Sequence, residues 1–472
     1  MVMLIYNTMS RHKEPFIPQT EGKVKMYVCG PTVYGYIHIG NARPMIVFDV
    51  VRSYLEQIGY EVVYITNFTD VDDKLIRKAE EMELTVPEVA ERFIQAYLED
   101  AEGLGVRPAT QNPRVTQSMP LIIDFIRELE ERGYAYEKGG DVFYRTAKFA
   151  DYGKLSGQQL DKLQFGIRIE VDARKENPED FVLWKAAKPG EIAWDSPWGK
   201  GRPGWHIECS AMAREFLGDT IDIHGGGVDL QFPHHECECA QSEALTGKPL
   251  SNYWMHNAFL NIGDEKMSKS LGNGLLVKDI RERYKAGAIR YFMLSSHYRN
   301  PLNFTEEALS SAEKSAERIA TAAGNLRHRL ELAGGPEAAA AGTASDELTA
   351  SLTAIVGRYH EKMQDDFNTP DAVTAMFDWV ALVNRILAET EVSAADLKAL
   401  ADAFDTMNRV LRIVAEPAAE EGADEEIERL IEERTEARKT KNWARSDEIR
   451  DQLAAMGIVL EDTPQGVRWK RK

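Results

Sequence analysis

The sequence has few cysteines, no long apolar run and a deficit of positive charge, and each lack excludes something. Cys29, Cys209, Cys237 and Cys239 are its only cysteines in 472 residues. That is far too few for a disulfide scaffold, so free thiols in a reducing compartment are expected. No segment reaches the ~18 unbroken apolar residues of a membrane span. Residues 1–18 carry polar or charged groups every few positions in place of the apolar core of a secretory signal. A cytoplasmic address is the expectation. Lys and Arg number 57 against 76 Asp and Glu, a formal charge of −19, which for the chain as a whole argues against a polyanionic partner. Composition is otherwise that of an ordinary globular protein, and the length accommodates about three domains.

Residues 23–29 read as a strand, and a loop punctuated by glycine follows. Met45, Phe48, Val51, Leu55 and Ile58 then recur at helical spacing up to Gly59, with Pro44 suited to the helix's first turn. Residues 60–66 alternate as a second strand. A helix joining two strands implies a right-handed βαβ unit, hence an α/β, Rossmann-like parallel sheet that binds ligands at strand carboxyl ends, where Cys29 lies. Residues 112–200 break this alternation. They open with a helix over 116–133 and continue with a hairpin around Lys138, Gly139, Gly140 and Asp141, which reads as an insertion.

Beyond residue 305 the pattern is helical, with Thr305 as N-cap and Leu309, Ala312, Ala316, Ile319, Ala323, Leu326 and Leu330 on one stripe. Residues 333–346 read as a linker between helices, 417–423 as an acidic hinge, and the last fifty or so as a separate unit of two helices and a hairpin around residues 462–466. The division expected is therefore 1–111 with 201–250 for the sheet, 112–200 for the insertion, 251–304 for a third region, 305–416 for an α-helical bundle and 424–472 for a small mixed α/β unit.

Two short motifs suit nucleotide chemistry. In His38-Ile39-Gly40-Asn41 a glycine admits a phosphate, an imidazole can donate to it, and a helix N-terminus adds a positive dipole end. In Lys266-Met267-Ser268-Lys269-Ser270, between Gly263 and Gly272, two lysines three apart can neutralise charge developing on a triphosphate. Together, in order and separation, the pair resembles the HIGH and KMSKS signatures of class I aminoacyl-tRNA synthetases, with Asn41 in place of the second histidine. The thiols suggest a metal. Cys29, Cys209, His234 and Glu238 make a reasonable tetrahedral set, the last two being i and i+4 on one helical face, with Cys237 and Cys239 as competing donors. Buried cysteines also serve simply as small hydrophobes.

Longer strings carry a closer likeness. Cys29-Gly30-Pro31-Thr32-Val33-Tyr34, Asn67-Phe68-Thr69-Asp70-Val71-Asp72-Asp73-Lys74, Gly201-Arg202-Pro203-Gly204-Trp205-His206-Ile207-Glu208-Cys209, His224-Gly225-Gly226-Gly227-Val228-Asp229-Leu230 and Phe232-Pro233-His234-His235-Glu236 resemble those of the cysteinyl-tRNA synthetases over nearly the full chain. The resemblance implies one zinc ion on Cys29, Cys209, His234 and Glu238 that takes the substrate's sulfur. It places Gly30, Thr32, Thr69 and Trp205 around the cysteinyl group, Gly227 and Asp229 at the adenosine, and His38, Gly40, Asn41, Lys266 and Lys269 on ATP. His38, Lys266 and Lys269, with magnesium, would stabilise the adenylation transition state. His224 and His256 either line the pocket or are structural. Asp70, Asp72 and Asp73 are magnesium ligands by type, with helix capping or ion pairing as their other role.

The same likeness makes 251–304 a stem-contact region and 424–472 an anticodon-binding domain, with L-cysteine, ATP and cysteine tRNA as partners and a monomeric state. Competing readings are the cysteine ligase of mycothiol synthesis, which lacks such a C-terminal unit, and a non-catalytic zinc-containing RNA-binding paralogue. Trp443 and Trp469 suit either base stacking or that unit's core. Residues 438–472 hold nine Lys and Arg against five Asp and Glu, a local balance of +4 within a chain of −19, so a tRNA contact there escapes the global objection.

Overall fold

The structure, a computed structural model, describes all residues except 1, 159–171, 263–264, 267–274, 341, 416–422, 457, 464–465 and 472. Lys269, nearly all of the acidic hinge and the tip of the C-terminal hairpin lie outside the described residues. An antiparallel hairpin, β1 (Leu4–Asn7) and β2 (His12–Pro15), precedes the expected βαβ unit of β3 (Lys23–Val28), α1 (Ile39–Gln57) and β4 (Glu61–Thr66). Helices α2 (Asp73–Met82) and α3 (Val86–Gly103) follow, then α4 (Met119–Glu131) and an antiparallel sheet of β5 (Ala135–Lys138), β6 (Asp141–Tyr144), β7 (Phe181–Ala186) and β8 (Gly201–Pro203). The chain returns through α5 (Trp205–Leu217), β9 (Ile221–Gly227), α6 (Glu236–Thr246) and β10 (Ser251–Asn257), completing a parallel sheet in the order β10-β9-β3-β4.

Strand β3 sits inside this sheet and packs on both faces, as parallel sheets covered by helices do. Its alternation sorts the two sides. Val24, Met26 and Val28 join the core formed with α1, whereas Tyr27, and Cys29 one step beyond the strand, join the core formed with α4 and α5. The period of two that makes a strand therefore aims Cys29 at the helix carrying Cys209.

Beyond the sheet come β11 (Leu260–Ile262), β12 (Glu265–Lys266), α7 (Val277–Arg281), α8 (Ala286–Leu294) and β13 (Leu302–Phe304), the strands ordered β12-β11-β13. The bundle follows as α9 (Glu306–Leu332), α10 (Gly335–Ala339), α11 (Asp346–Gln364), α12 (Thr369–Leu387) and α13 (Ala394–Leu411). The expected cap of α9 is present, the Ala308 N–H donating to Thr305 Oγ1 at 3.0 Å. Helices α14 (Ala423–Lys439) and α15 (Trp443–Ala455) with the hairpin β14 (Ile458–Thr463) and β15 (Gly466–Arg471) enclose their own small core of Ile427, Leu430, Ile431, Ile449, Leu453 and Ile458. Trp443 stands outside it, 58% exposed.

Four expectations shift. Helix α1 begins at Ile39, so Pro44 lies inside it and not in its first turn. The cap is made by an unusual pair: the His38 N–H donates to Asn41 Oδ1 at 3.2 Å. The helix expected over 116–133 starts only at Met119, where Pro120 pre-sets the first turn after a short 3-10 turn at Val115–Gln117. The linker over 333–346 contains the short helix α10. The parallel sheet runs past residue 250, because β10 pairs with β9 from Ser251 to Asn257.

Candidate active site

The four expected metal donors meet at the carboxyl end of the sheet. Cys29 ends β3 and its N–H donates to Gly225 O on β9 at 3.2 Å. Cys209 comes from α5, His234 from the turn before α6, and Glu238 from the first turn of α6. One atom from each lies within 4.8 Å of those of the other three. Cys29 Sγ is 3.6 Å from Cys209 Sγ and 3.3 Å from Glu238 Oε1, and His234 Nε2 is 2.9 Å from Glu238 Oε1. Two thiolates bound tetrahedrally at 2.3 Å would sit ~3.8 Å apart, close to the spacing observed. Two soft sulfurs, one imidazole and one carboxylate in a buried cradle fit zinc and no hard oxygen-seeking cation. These residues can therefore hold a metal ion.

The electrostatics of the cluster are those of a proton-sharing set. A hydrogen bond from Cys29 holds the Cys209 thiol down to about 6 although burial opposes it, while burial pushes the Cys29 thiol up. Burial alone would lower His234, yet the Glu238 charge raises it to about 10. Glu238 stays well below the carboxylate range because His224 and His234 outweigh its burial. The competitors are engaged elsewhere. Cys237 Sγ lies 3.3 Å from the Tyr152 hydroxyl, and Cys239 donates to Glu243 Oε1 at 3.1 Å.

A second row of histidines backs this cluster, only partly anticipated by the sequence reading. His224 Nε2 is 2.8 Å from Glu238 Oε2, and its ring stacks on Trp254 at 4.6 Å. His235 Nδ1 meets His256 Nε2 at 2.8 Å, and His256 Nδ1 meets Thr8 Oγ1 at 2.8 Å. His206 Nδ1 meets His234 Nδ1 at 2.9 Å. Burial drives His206 and His256 down to about 3, so both are neutral and serve as hydrogen-bonding partners. Cys29, His224, His235 and Glu238 form an overlapping donor set. The available signal was register: His224 faces Trp254 across β9 and β10.

The residues expected around the cysteinyl group and the adenosine have these places in the structure. The Gly30 N–H donates to Asn67 Oδ1 at 3.0 Å, and a Cβ on Gly30 would fall 1.7 Å from the Asn67 carbonyl oxygen, so only glycine fits. Thr32 and Thr69 are bridged through their backbones, and Thr69 Oγ1 donates to the buried Glu208 at 2.8 Å. Trp205 lies 4.3 Å from the His234 ring and is 42% exposed where His234 is buried, which makes it a rim residue. Gly227 closes β9, and Asp229 stands in the 3-10 turn after it.

Of the lysine motif, Lys266 alone is among the described residues, and the segment beyond residue 274 meets the His38 turn. Lys266 lies in β12, which pairs with β11 at Asn261, and the chain returns at Leu276 to bridge His38 itself. Ile39 N–H donates to Leu275 O at 2.8 Å and Val277 N–H to Ile37 O at 3.0 Å. The segment that follows the lysine motif is thus tied to the start of α1, which carries Gly40 and Asn41, whereas Lys266 on the other flank is held by β11. The aspartates have structural partners. Asp72 caps α2 by accepting from Lys74 N–H at 2.8 Å, Asp73 pairs with Lys185 at 2.9 Å and with Arg202, and Asp70 accepts from the Thr116 N–H at 2.9 Å. Among the described residues no helix is long and apolar enough to cross a membrane.

Residues 15–314 match the family of tRNA synthetases class I (C) catalytic domain, residues 358–415 the DALR domain, and residues 420–469 the cysteinyl-tRNA ligase anticodon binding domain. The cysteine–tRNA ligase of Halalkalibacterium halodurans is 58% identical over 471 residues, covering 100% of both chains. That of Shouchella clausii is 57% identical and covers 99% of each. Among solved structures, Mycobacterium tuberculosis methionyl-tRNA synthetase with methionyl-adenylate superposes with a TM-score of 0.58 at 15% identity, over 83% of this chain and 90% of that one. The Agrobacterium radiobacter K84 ternary complex of LeuRS, tRNA and LeuAMS gives 0.59 at 11% identity, over 85% and 84%. The likeness to these structures is one of fold; the sequence matches along the whole chain identify it as a member of the cysteine–tRNA ligase family of class I aminoacyl-tRNA synthetases.

Proposed function

We propose that this chain activates L-cysteine with ATP and transfers it to the terminal adenosine of cysteine tRNA. The observation that carries the reading is the cluster of half-buried Cys29 with buried Cys209, His234 and Glu238 at the sheet's carboxyl end, on the same sheet edge as the His38 turn. When bound there, zinc lowers the substrate thiol's pKa and offers it a bond that a serine hydroxyl matches poorly. An apolar pocket would separate such near-isosteres by only ~10 to 200-fold, so the donor set bears the selectivity.

Gly30 admits the substrate backbone beside the cluster, Thr32 and Thr69 orient the cysteinyl group, and Trp205 covers it from the rim. Gly227 and Asp229 hold the adenosine. The cysteine carboxylate attacks the α-phosphorus, the bond to the bridging oxygen breaks, and diphosphate leaves; magnesium, carried in with ATP, would add positive charge there. His38, Lys266 and Lys269 stabilise the charge that develops, with Gly40 and Asn41 shaping the turn beneath the phosphates. The ribose 2′-hydroxyl of the tRNA then attacks the activated carbonyl and AMP departs. Positioning and electrostatics supply most of the rate.

Residues 424–472 act as the anticodon-reading unit, which disfavours the amino-sugar ligase reading, and the enzyme works as a monomer in the cytoplasm. The test is exchange of labelled diphosphate into ATP. Cysteine should support it and serine should not, while deleting residues after 416 should abolish tRNA charging and spare exchange. Equal exchange with serine, or undiminished charging by the shortened chain, would overturn the reading.

A further inference from the structure

We propose that Arg43 is a positioning residue for adenylation, a buried clamp that ties α1, just beyond the His38 turn, to the segments entering β11 and β13, the strands of the sheet that carries Lys266 on its edge. The proposal rests on the adenylation reading above. Arg43 lies on α1 one turn beyond His38 and is fully buried. Its Nη1 donates to Ala258 O and Phe259 O, both at 2.8 Å, and its Nη2 to His297 O at 3.2 Å and Asn300 O at 2.6 Å. All four acceptors are backbone carbonyls. Burial of the guanidinium lowers its pKa to about 10, and a cation held by neutral carbonyls alone is a costly way to stabilise a core.

What it holds explains the cost. Ala258 and Phe259 form the turn into β11, and residues 297–300 lead into β13. The turn and the second segment are bonded to each other, Ala258 N–H to Tyr298 O at 2.8 Å and Leu302 N–H to Phe259 O at 3.1 Å. Strand β11 lies between β13 and β12, and β12 carries Lys266. Arg43 thus grips the segments entering β11, against which the Lys266 strand pairs, and β13, which pairs with β11 in turn, while the return at Leu276 is fastened separately by the His38 bridge. A planar fork reaching two carbonyls from each nitrogen has no equivalent in lysine, whose single ammonium would grip only part of the set.

The test is Arg43→Lys in the full chain, alone and combined with Lys266→Ala. A slip of the lysine strand of about 1 Å should lower kcat for cysteine-dependent diphosphate exchange about 10- to 100-fold and raise the KM for ATP. The KM for cysteine and the bound metal should stay within about twofold of wild type, because the donor cluster lies on other elements. If Arg43 acts through Lys266, Arg43→Lys should cost little in the Lys266→Ala background, since two parts of one device are not additive. Losses that multiply in the double variant, unchanged ATP kinetics, an equal loss of cysteine affinity, or failure of Arg43→Lys to fold would each overturn the clamp. Absence of cysteine-dependent exchange in the unmodified chain would instead sink the adenylation reading, so the two failures are distinguishable.

Discussion

The two ends of the site are built by different means. At the thiol end, donor side chains are buried and locked by one another: Glu238 alone faces Cys29, His224 and His234 within 3.3 Å. At the phosphate end, placement is made by backbone, through the His38 to Leu276 bridge and the β11 to β12 pairing. On the proposed reading, selection of one atom calls for fixed donors, whereas the groups that would meet developing charge are held through anchored backbone.

That contrast can be broken experimentally. Cys209→Ala should release the metal and depress cysteine-dependent exchange at least ~1,000-fold, because the remaining donors no longer close the set; metal analysis alongside kinetics checks it, and full activity without metal would erase the distinction between the ends. Lys266→Ala should lower kcat ~100- to 1,000-fold with cysteine affinity and metal retained, as expected of a transition-state contact. A shared loss in KM for cysteine would mean the two ends are coupled. Gly30→Ala forces a Cβ to 1.7 Å from the Asn67 carbonyl. It should cost about 1–3 kcal/mol in denaturant stability and weaken cysteine binding before ATP binding. Thr305→Ala, at the cap of α9, should cost about 1 kcal/mol in stability and leave cysteine affinity and bound metal unchanged.

Much of this was legible in the sequence, for reasons that differ by element. The βαβ unit was readable because strand and helix periods are local. The donor set needed Cys29 and Cys209 to meet across a separation of 180 positions, which spacing alone does not encode; the family resemblance supplied it. The start of α1 was misplaced because His38 with Asn41 is not among the usual capping residues and Pro44 drew attention to itself. Of the second row of histidines, His224 and His256 were expected at the pocket or in the structure, but the pairings of His235 with His256 and of His206 with His234 join residues from different elements, which spacing along the chain does not show. The hydrogen bonds of Arg43 were invisible for a related reason: all its acceptors are main-chain carbonyls, which no residue type announces.

One consequence follows from the alternation along β3. Tyr27 and Cys29 share the face turned to α5, and Val24, Met26 and Val28 the face turned to α1. In the proposed site Cys29 is a donor by parity, odd where the α1 core is even. Removing a single residue between Lys23 and Val28 would invert that parity, carrying the thiol toward the α1 core and Gly30 into the place of Cys29. The reach of this thiol to the donor cluster is thus set by counting along the strand, and a slip of even one residue would leave its corner of the cluster empty.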